Sequence, residues 1–496
     1  MANDSVCKSD LPDVRIRAAN AAEVRADGEF VLYWMVAHRR TRWNFSLDRA
    51  VDWAASLAKP LVVLEALRCD YPWASDRLHA FVIQGMADNA SALRDGAVTY
   101  YPYVEPAIGA GRGLLAELAR RACVVVSDDF PCFFLPRMTA AAARQIPVRF
   151  ELVDSNGILP MRAVDKVFQR AFDFRRYLQG HLREHLVAFP REDSLARRKL
   201  PKIASLPVEI SRRWPATDVR ELAANPFGLA ELPLDHAVGV APQVGGPIAA
   251  RNQLEAFLDR LAHSDESRNH PDDGAPSGFS SYLHFGHVAA HEVFYEISRR
   301  EDWSLARLAT KGTGSSRGWW GVGENAEAFL DQLVTWRELG FNLCWQREDY
   351  ERYESLPDWA RRTLAEHTDD PREFVYSLDQ FQRAATHDPL WNAAQRQLVR
   401  DGRLHNYLRM LWGKKILHWS ATPQEALATM IELNNKYALD GRDPNSYSGI
   451  FWVLGRYDRA WGPERPIFGK IRYMCSKNTV RKLRVREYLK RYGDDA

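Results

Sequence analysis

The chain has 496 residues, enough for two or three domains at about 100 to 200 residues each. With 67 Lys+Arg against 64 Asp+Glu its net charge is +3, which excludes a protein that coats polyanions over its whole surface but allows one local basic face. Apolar residues at 46% and charged residues at 26% are ordinary globular values, no stretch approaches about 18 uninterrupted apolar residues, and Met1 to Asp13 lack the pattern of a signal peptide, so an intracellular, cytoplasmic protein with no membrane segment is expected.

Residues 1–28 read as an N-terminal tail. From 29 to about 155, short β-branched apolar runs alternate with helix-like stretches. The runs are Phe30 to Trp34, Leu61 to Leu64, Val98 to Tyr101, Cys123 to Val126 and Val148 to Val153, with helical periodicity at Leu78 to Leu93 and Gly113 to Ala122. Continuous apolar strands separated by helices imply a parallel sheet covered on both faces, so 29–189 is expected to be an α/β domain with a doubly wound, five-stranded parallel sheet. The stretch 190–248 carries many prolines, Arg197-Arg198-Lys199 and Gly245-Gly246-Pro247, and reads as an interdomain linker. In 249–496, Ala250 to Leu261, Val288 to Ile297, Ala326 to Trp345, Trp391 to Leu398, Leu404 to Trp419 and Pro423 to Asn434 are helical by period with no convincing strand between them. The second domain is expected to be all-helical. Thr422 before Pro423 is an N-cap followed by an N1 proline. Loops are expected at Ser264 to Ser281, Lys311 to Gly323 and Asp440 to Tyr447.

The six cysteines form no CxxC pair and no regular spacing, which argues against a structural zinc site and a disulfide framework. Gly109-Ala110-Gly111-Arg112-Gly113 precedes a helix as a phosphate-binding turn would. Its spacing misses the dinucleotide fingerprint and it follows the third strand, so a plain loop is the better reading. His181-Leu182-Arg183-Glu184-His185 matches the HxxEH pattern with both imidazoles on one helical face, yet no third ligand stands near and a solvated helix is favoured. His284, His287 and His291 share a helix face at three- and four-residue spacing and would suit a metal. They follow Ser277-Gly278-Phe279-Ser280-Ser281, however, a loop whose hydroxyls and backbone N–H groups at a helix start better suit a phosphate or pyrophosphate, and no metal site is expected.

Of the 16 tryptophans, eleven lie between residues 303 and 461. Trp412 and Trp419 are seven apart, so on a helix both indoles face one side about 10 Å apart, and Trp391 precedes them on the next helix along. Periodicity alone favours core packing; the other reading is an electron relay, which needs a redox cofactor. From Lys470 to Arg491 nine cations face the single anion Glu487, a basic surface that suits a solvated helix or nucleic acid.

Four long stretches then give the chain a family likeness: Thr386-His387-Asp388-Pro389-Leu390-Trp391-Asn392-Ala393-Ala394-Gln395, Leu408-Arg409-Met410-Leu411-Trp412-Gly413-Lys414-Lys415-Ile416-Leu417, Leu439-Asp440-Gly441-Arg442-Asp443-Pro444-Asn445 and Phe468-Gly469-Lys470-Ile471-Arg472-Tyr473-Met474. With Tyr33-Trp34-Met35 and Tyr282-Leu283-His284-Phe285-Gly286, the chain from about Phe30 to Arg486 resembles the class II cyclobutane pyrimidine dimer photolyases of the photolyase/cryptochrome family. The resemblance implies an α/β antenna domain, a linker and a helical C-terminal domain that binds FAD, active in its reduced anionic form, and it leaves room for a second, antenna chromophore. It implies that Ser277, Phe279 and Ser280 bind the flavin diphosphate, that Asn434 faces flavin N5, and that Arg409 and Asp440 form a salt bridge against the isoalloxazine. Trp412, Trp391 and Trp419, in that order outward, fall on the electron-transfer triad that photoreduces FAD. This reading displaces simple core packing. Trp336 and Trp452 match the indoles that pack against a flipped-out dimer. Where the class usually carries a glutamate on the dimer this chain has Gln332, which donates an amide hydrogen bond but supplies neither proton nor charge; the neighbouring Asp331 would point elsewhere on a helix. The expected activity is a light-driven carbon–carbon lyase, a deoxyribodipyrimidine photo-lyase that splits pyrimidine dimers in DNA, acting as a monomer. The alternatives are a cryptochrome-like flavin photoreceptor and a light-independent nucleic-acid-binding module.

Overall fold

The computed structural model describes residues 7, 9–94, 96, 98–196, 199–225, 227–263, 270–272 and 277–493. The expected basic run Arg197-Arg198 and most of the loop from Ser264 lie outside the described residues. The chain divides into two compact units, one formed by Met1–Val164, His181–Glu255 and Phe279–Ala306, the other by Asp165–Gly180, Ala256–Gly278 and Arg307–Ala496. Each unit is thus assembled from three chain segments, whereas the sequence reading divides the chain at single points near 189 and 248. The stretch 190–248 lies wholly in the first unit and forms short helices at Val208–Arg213 and Val219–Ala224.

The first unit is built on a six-stranded sheet of β1 (Ile16–Ala18), β2 (Phe30–Met35), β3 (Leu61–Leu67), β4 (Val98–Val104), β5 (Ala122–Asp128) and β6 (Phe150–Val153), in the order β1-β6-β5-β2-β3-β4. The five expected strands are parallel, and β2 and β5 are buried at every position, as their unbroken apolar runs require. The sixth strand corrects the expected tail. Ile16, Arg17 and Ala18 pair antiparallel with Val153, Leu152 and Glu151, a run too short for a periodicity signal. It is held in place by its neighbours: the buried Arg15 donates to the carbonyls of Asp154, Gly157 and Ile158, and Arg17 pairs with Asp129. Helices at Phe45–Leu57 and Leu135–Ala143, missing from the sequence reading, cover the sheet with Asp76–Ala92 and Leu114–Arg121. At the end of β5, Asp128 accepts backbone N–H groups of Val36, Ala37 and His38 at 2.8, 2.7 and 2.9 Å. Burial alone would raise its carboxyl, but His38 and those donors hold it below the usual carboxylate range.

Two histidine patterns dissolve in this unit. His181 ends the helix Ala171–His181 and Leu182–Glu184 is a 3₁₀ turn, so His181 and His185 do not share an α-helical face. His284 ends the five-residue helix Ser280–His284, whereas His291 lies in Ala290–Arg300, so the expected common helix face is absent. His287, in the turn between them, accepts the Gly246 N–H through Nδ1 at 2.9 Å. No group of three or more His, Cys, Asp or Glu able to hold a metal occurs among the described residues. The Gly109–Gly113 turn stays a loop whose Gly111 N–H donates to Glu105 Oε1, so the chain's own carboxylate takes the place an anion would occupy.

In the second unit the described residues form helices and loops, with no strand. Four successive helices carry most of the candidate site residues: Pro389–Asp401, Asn406–Trp419, Pro423–Tyr437 and Pro444–Val453. Asp388, Thr422 and Asp443 cap three of them, each followed by proline at N1, as read at Thr422. The last helix begins earlier than expected, so Tyr447 is helical and the Asp440 loop ends at Asp443. Close approach depends on glycine: a Cβ on Gly413 would stand 2.6 Å from Val453 Cγ2, and one on Gly340 2.5 Å from the Pro444 carbonyl oxygen. No helix among the described residues is long and apolar enough to cross a membrane.

Candidate functional site

The three triad indoles are brought together. Trp391 and Trp412 belong to adjacent helices, and the Trp391 Nε1–H donates to the Trp412 backbone carbonyl at 3.0 Å. The Trp412 Nε1–H donates to Gln395 Oε1 at 2.8 Å. Trp391 and Trp419 meet edge to face with centroids 6.0 Å apart at 75°. All three are buried at 2% exposure or less, so the series lies almost entirely out of solvent. Beyond Trp419 the aromatic contacts continue to Tyr376 and the exposed His387, whose Nδ1 is 2.7 Å from the Tyr376 hydroxyl. The Lys415 ammonium stands 4.8 Å from the Trp419 ring and 3.5 Å from Asp388.

Asn434 and Asn435 sit in the last turn of Pro423–Tyr437, both buried. Asn434 Nδ2 donates to Ser446 Oγ at 2.7 Å, which fixes the plane of its carboxamide. Arg442, buried with φ of 65°, donates through its guanidinium to the carbonyls of Asn435, Ala438 and Leu439, and its backbone N–H donates to Asn435 Oδ1. One side chain therefore closes the helix end and shapes the loop that presents Asp440. Arg409 Nη2 reaches Asp440 Oδ1 and Oδ2 at 2.9 and 3.1 Å, and both side chains are largely buried.

Trp336 ends a six-residue π-helical turn, Asp331–Trp336, set inside what reads in the sequence as one continuous helix. The Arg337 N–H reaches back five residues to the Gln332 carbonyl; such single π turns recur at functional sites. The carboxylate of Asp331, beside Gln332, is engaged bidentately by Arg175 at 2.6 and 2.9 Å. Gln332 is exposed and Trp336 half-buried. Trp452, half-buried near the end of its helix, has two cations against its ring: Lys414 Nζ at 5.2 Å and the Arg472 guanidinium at 5.7 Å. Sequence reasoning missed Lys414, Gln395, Arg442 and Arg175. Of these only Lys414 carried a signal, two adjacent lysines inside an otherwise apolar helical run. In the loop expected to hold a diphosphate, Ser277 is half-buried, Phe279 buried and Ser280 exposed at the start of its short helix, while Ser281 Oγ donates to Gln243 Oε1.

No protein-family model matches the chain. A solved class III photolyase from Agrobacterium tumefaciens is similar in fold, with a TM-score of 0.63 at 16% identity over 95% of this chain and 87% of that one. That likeness defines the architecture as the photolyase one. Curated proteins called deoxyribodipyrimidine photo-lyase are similar over almost the whole length: 35% identical in Methanothermobacter thermautotrophicus, covering 96% of this chain and 97% of that protein, and 34% in Oryza sativa, covering 92% and 86%. The relative from Potorous tridactylus is 30% identical over 92% of this chain and 80% of its own. The chain belongs to the deoxyribodipyrimidine photo-lyase family of enzymes, within the photolyase/cryptochrome group.

Proposed function

We propose that this protein is a class II photolyase, a light-driven, FAD-dependent lyase that splits cyclobutane pyrimidine dimers in DNA. The observation that carries the proposal is the buried series Trp412, Trp391 and Trp419, joined by an indole-to-carbonyl hydrogen bond and an edge-to-face contact, on the helices next to the Asn434 and Arg409–Asp440 network. The donor set suits FAD: a fixed carboxamide and an arginine–carboxylate pair offer hydrogen bonds and balanced charge to a flat, electron-accepting ring. Ser277, Phe279 and Ser280 would hold the diphosphate, and Asn434, Arg409 and Asp440 the ring. When bound, FAD supplies the light-excited electron that opens the cyclobutane ring and takes it back.

The protein's own residues do the rest. The triad carries electrons inward, and its burial keeps water from quenching them. Trp336 and Trp452 present apolar walls to two fused bases taken out of the stack, where a damaged pair costs least to extrude. The cations from Lys470 to Arg491 supply phosphate contacts. Gln332 in place of glutamate, with Asp331 committed to Arg175, favours a second reading, a cryptochrome-like photoreceptor with weak repair. The absorption spectrum of the purified protein tests the cofactor directly: bound flavin bands are expected, and a colourless preparation would sink both readings.

A further inference from the structure

Lys414 has no assigned part in the network above, yet it is fully buried on the helix that carries Trp412. Its ammonium donates to the carbonyl of Val453 at 2.5 Å, the last residue of the Trp452 helix, where the partial negative charge of the helix end favours a cation. The same ammonium is 5.2 Å from the centroid of the Trp452 ring, inside the range in which a cation is drawn to an indole face. A methionine or leucine would fill this volume without the cost of burying charge, so packing alone does not account for a lysine. From the segment after the helix, Asp458 and Arg472 act on Lys414; Arg472 also touches the rings of Trp452 and Trp461, and Trp461 Nε1–H donates to Asp458. On its own helix Lys415 is turned to Asp388 and Trp419 instead.

We propose that Lys414 is a positioning residue for Trp452: its ammonium ties the indole plane to the end of the Trp452 helix, so the preference for damaged over undamaged DNA depends on the charge of this lysine. The inference rests on the reading that Trp452 packs against the extruded dimer. Burial pulls Lys414 down to about 7, with Arg472 assisting and Asp458 opposing, so the lysine is charged on the acid side of neutrality and uncharged on the alkaline side. The preference for damage is therefore strongest at mildly acid pH. Arg472, whose guanidinium also stands against the Trp452 ring, keeps part of the wall in place.

The test uses the flavin-bound holoprotein in the dark, titrated with a short oligonucleotide carrying one thymine dimer and with its undamaged counterpart. The ratio of the two affinities is followed between about pH 6 and 8.5, which cancels charge effects common to all DNA. In the wild type the ratio is expected to fall about fivefold across that range, the size of one modest cation–indole contact, and in Lys414→Met to be flat at the lower value. A wild-type ratio that does not change with pH, or a step that persists in Lys414→Met, overturns the inference while leaving the dimer-binding reading intact; no preference for damage at any pH defeats the reading itself. If Lys414→Met does not fold, Trp452→Leu decides, because the pH step must vanish when the indole is gone and its persistence refutes the proposal.

Discussion

Trp412 is tied at both ends, its indole N–H to Gln395 and its backbone carbonyl to the Trp391 indole. Replacing it by phenylalanine keeps an aromatic ring but leaves the fully buried Gln395 oxygen without its donor, which costs about 1–3 kcal/mol. Trp412→Phe is therefore expected to lower denaturant stability by about that amount and to stop light-driven reduction of the flavin, while repair survives once the flavin is reduced chemically. Loss of both activities would make the indole a structural element. Lys414 carries a pH signature of its own. Its value falls from 10.5 unfolded to about 7 folded, so between those values the unfolded chain binds more protons and stability rises with pH. Urea midpoints taken across that window should climb in the wild type, and the part of the climb due to this lysine should be missing in Lys414→Met; equal slopes would show that Lys414 stays charged when buried. That Trp391 would lie against Trp412 and Trp419, and Arg409 against Asp440, was readable only through family likeness, residue by residue. Gln395 and Arg175 were not, because their partners Trp412 and Asp331 stand 17 and 156 residues away along the chain, and Arg442, whose partners are only three to seven residues away, sits in a loop that has no period.

Among the elements, those with strong local signals matched the sequence best. The Thr422–Pro423 start, with Thr422 accepting the Glu425 N–H, and the continuous apolar strands β2 and β5 needed no tertiary information. The Asp331–Trp336 π turn did, since one widened turn leaves helical periodicity on either side almost unchanged and is set by the Arg175–Asp331 pair and the loop it braces: Arg175 donates to the Gly314 carbonyl, and Gln179 accepts the Gly314 N–H. The Asp440 loop is equally tight. A Cβ on Gly441 would come 2.7 Å from the Asn434 carbonyl oxygen and 3.0 Å from Asn435 Cα, backbone atoms that cannot yield without moving the carboxamides. Gly441→Ala is expected to destabilise by about 1–3 kcal/mol and to lower flavin retained through gel filtration, with Asn434 and Asp440 both displaced. Flavin content equal to the wild type would mean that the loop does not set the cofactor site.

At the scale of the whole molecule, a net charge of +3 hides the nine cations gathered between Lys470 and Arg491, because they are offset elsewhere. The α/β and helical halves were visible in the change of period, from strands to helices, near residue 249. What the period could not show is that each compact unit recruits segments from across the chain, since Asp165–Gly180 and Phe279–Ala306 look locally like any other helix-bearing stretches. The short antiparallel β1 was lost for the same reason: three residues specify a strand only when β6 and the buried Arg15 are already in place. Whether this protein repairs DNA with light is decided by a single assay. Chemically reduced, flavin-loaded protein is mixed with an oligonucleotide carrying one thymine dimer and divided between blue light and darkness, and dimer content is followed by chromatography. Loss of dimer in the illuminated sample alone, with two intact thymines as the product, is the predicted result; unchanged dimer under light despite bound reduced flavin would contradict the claim.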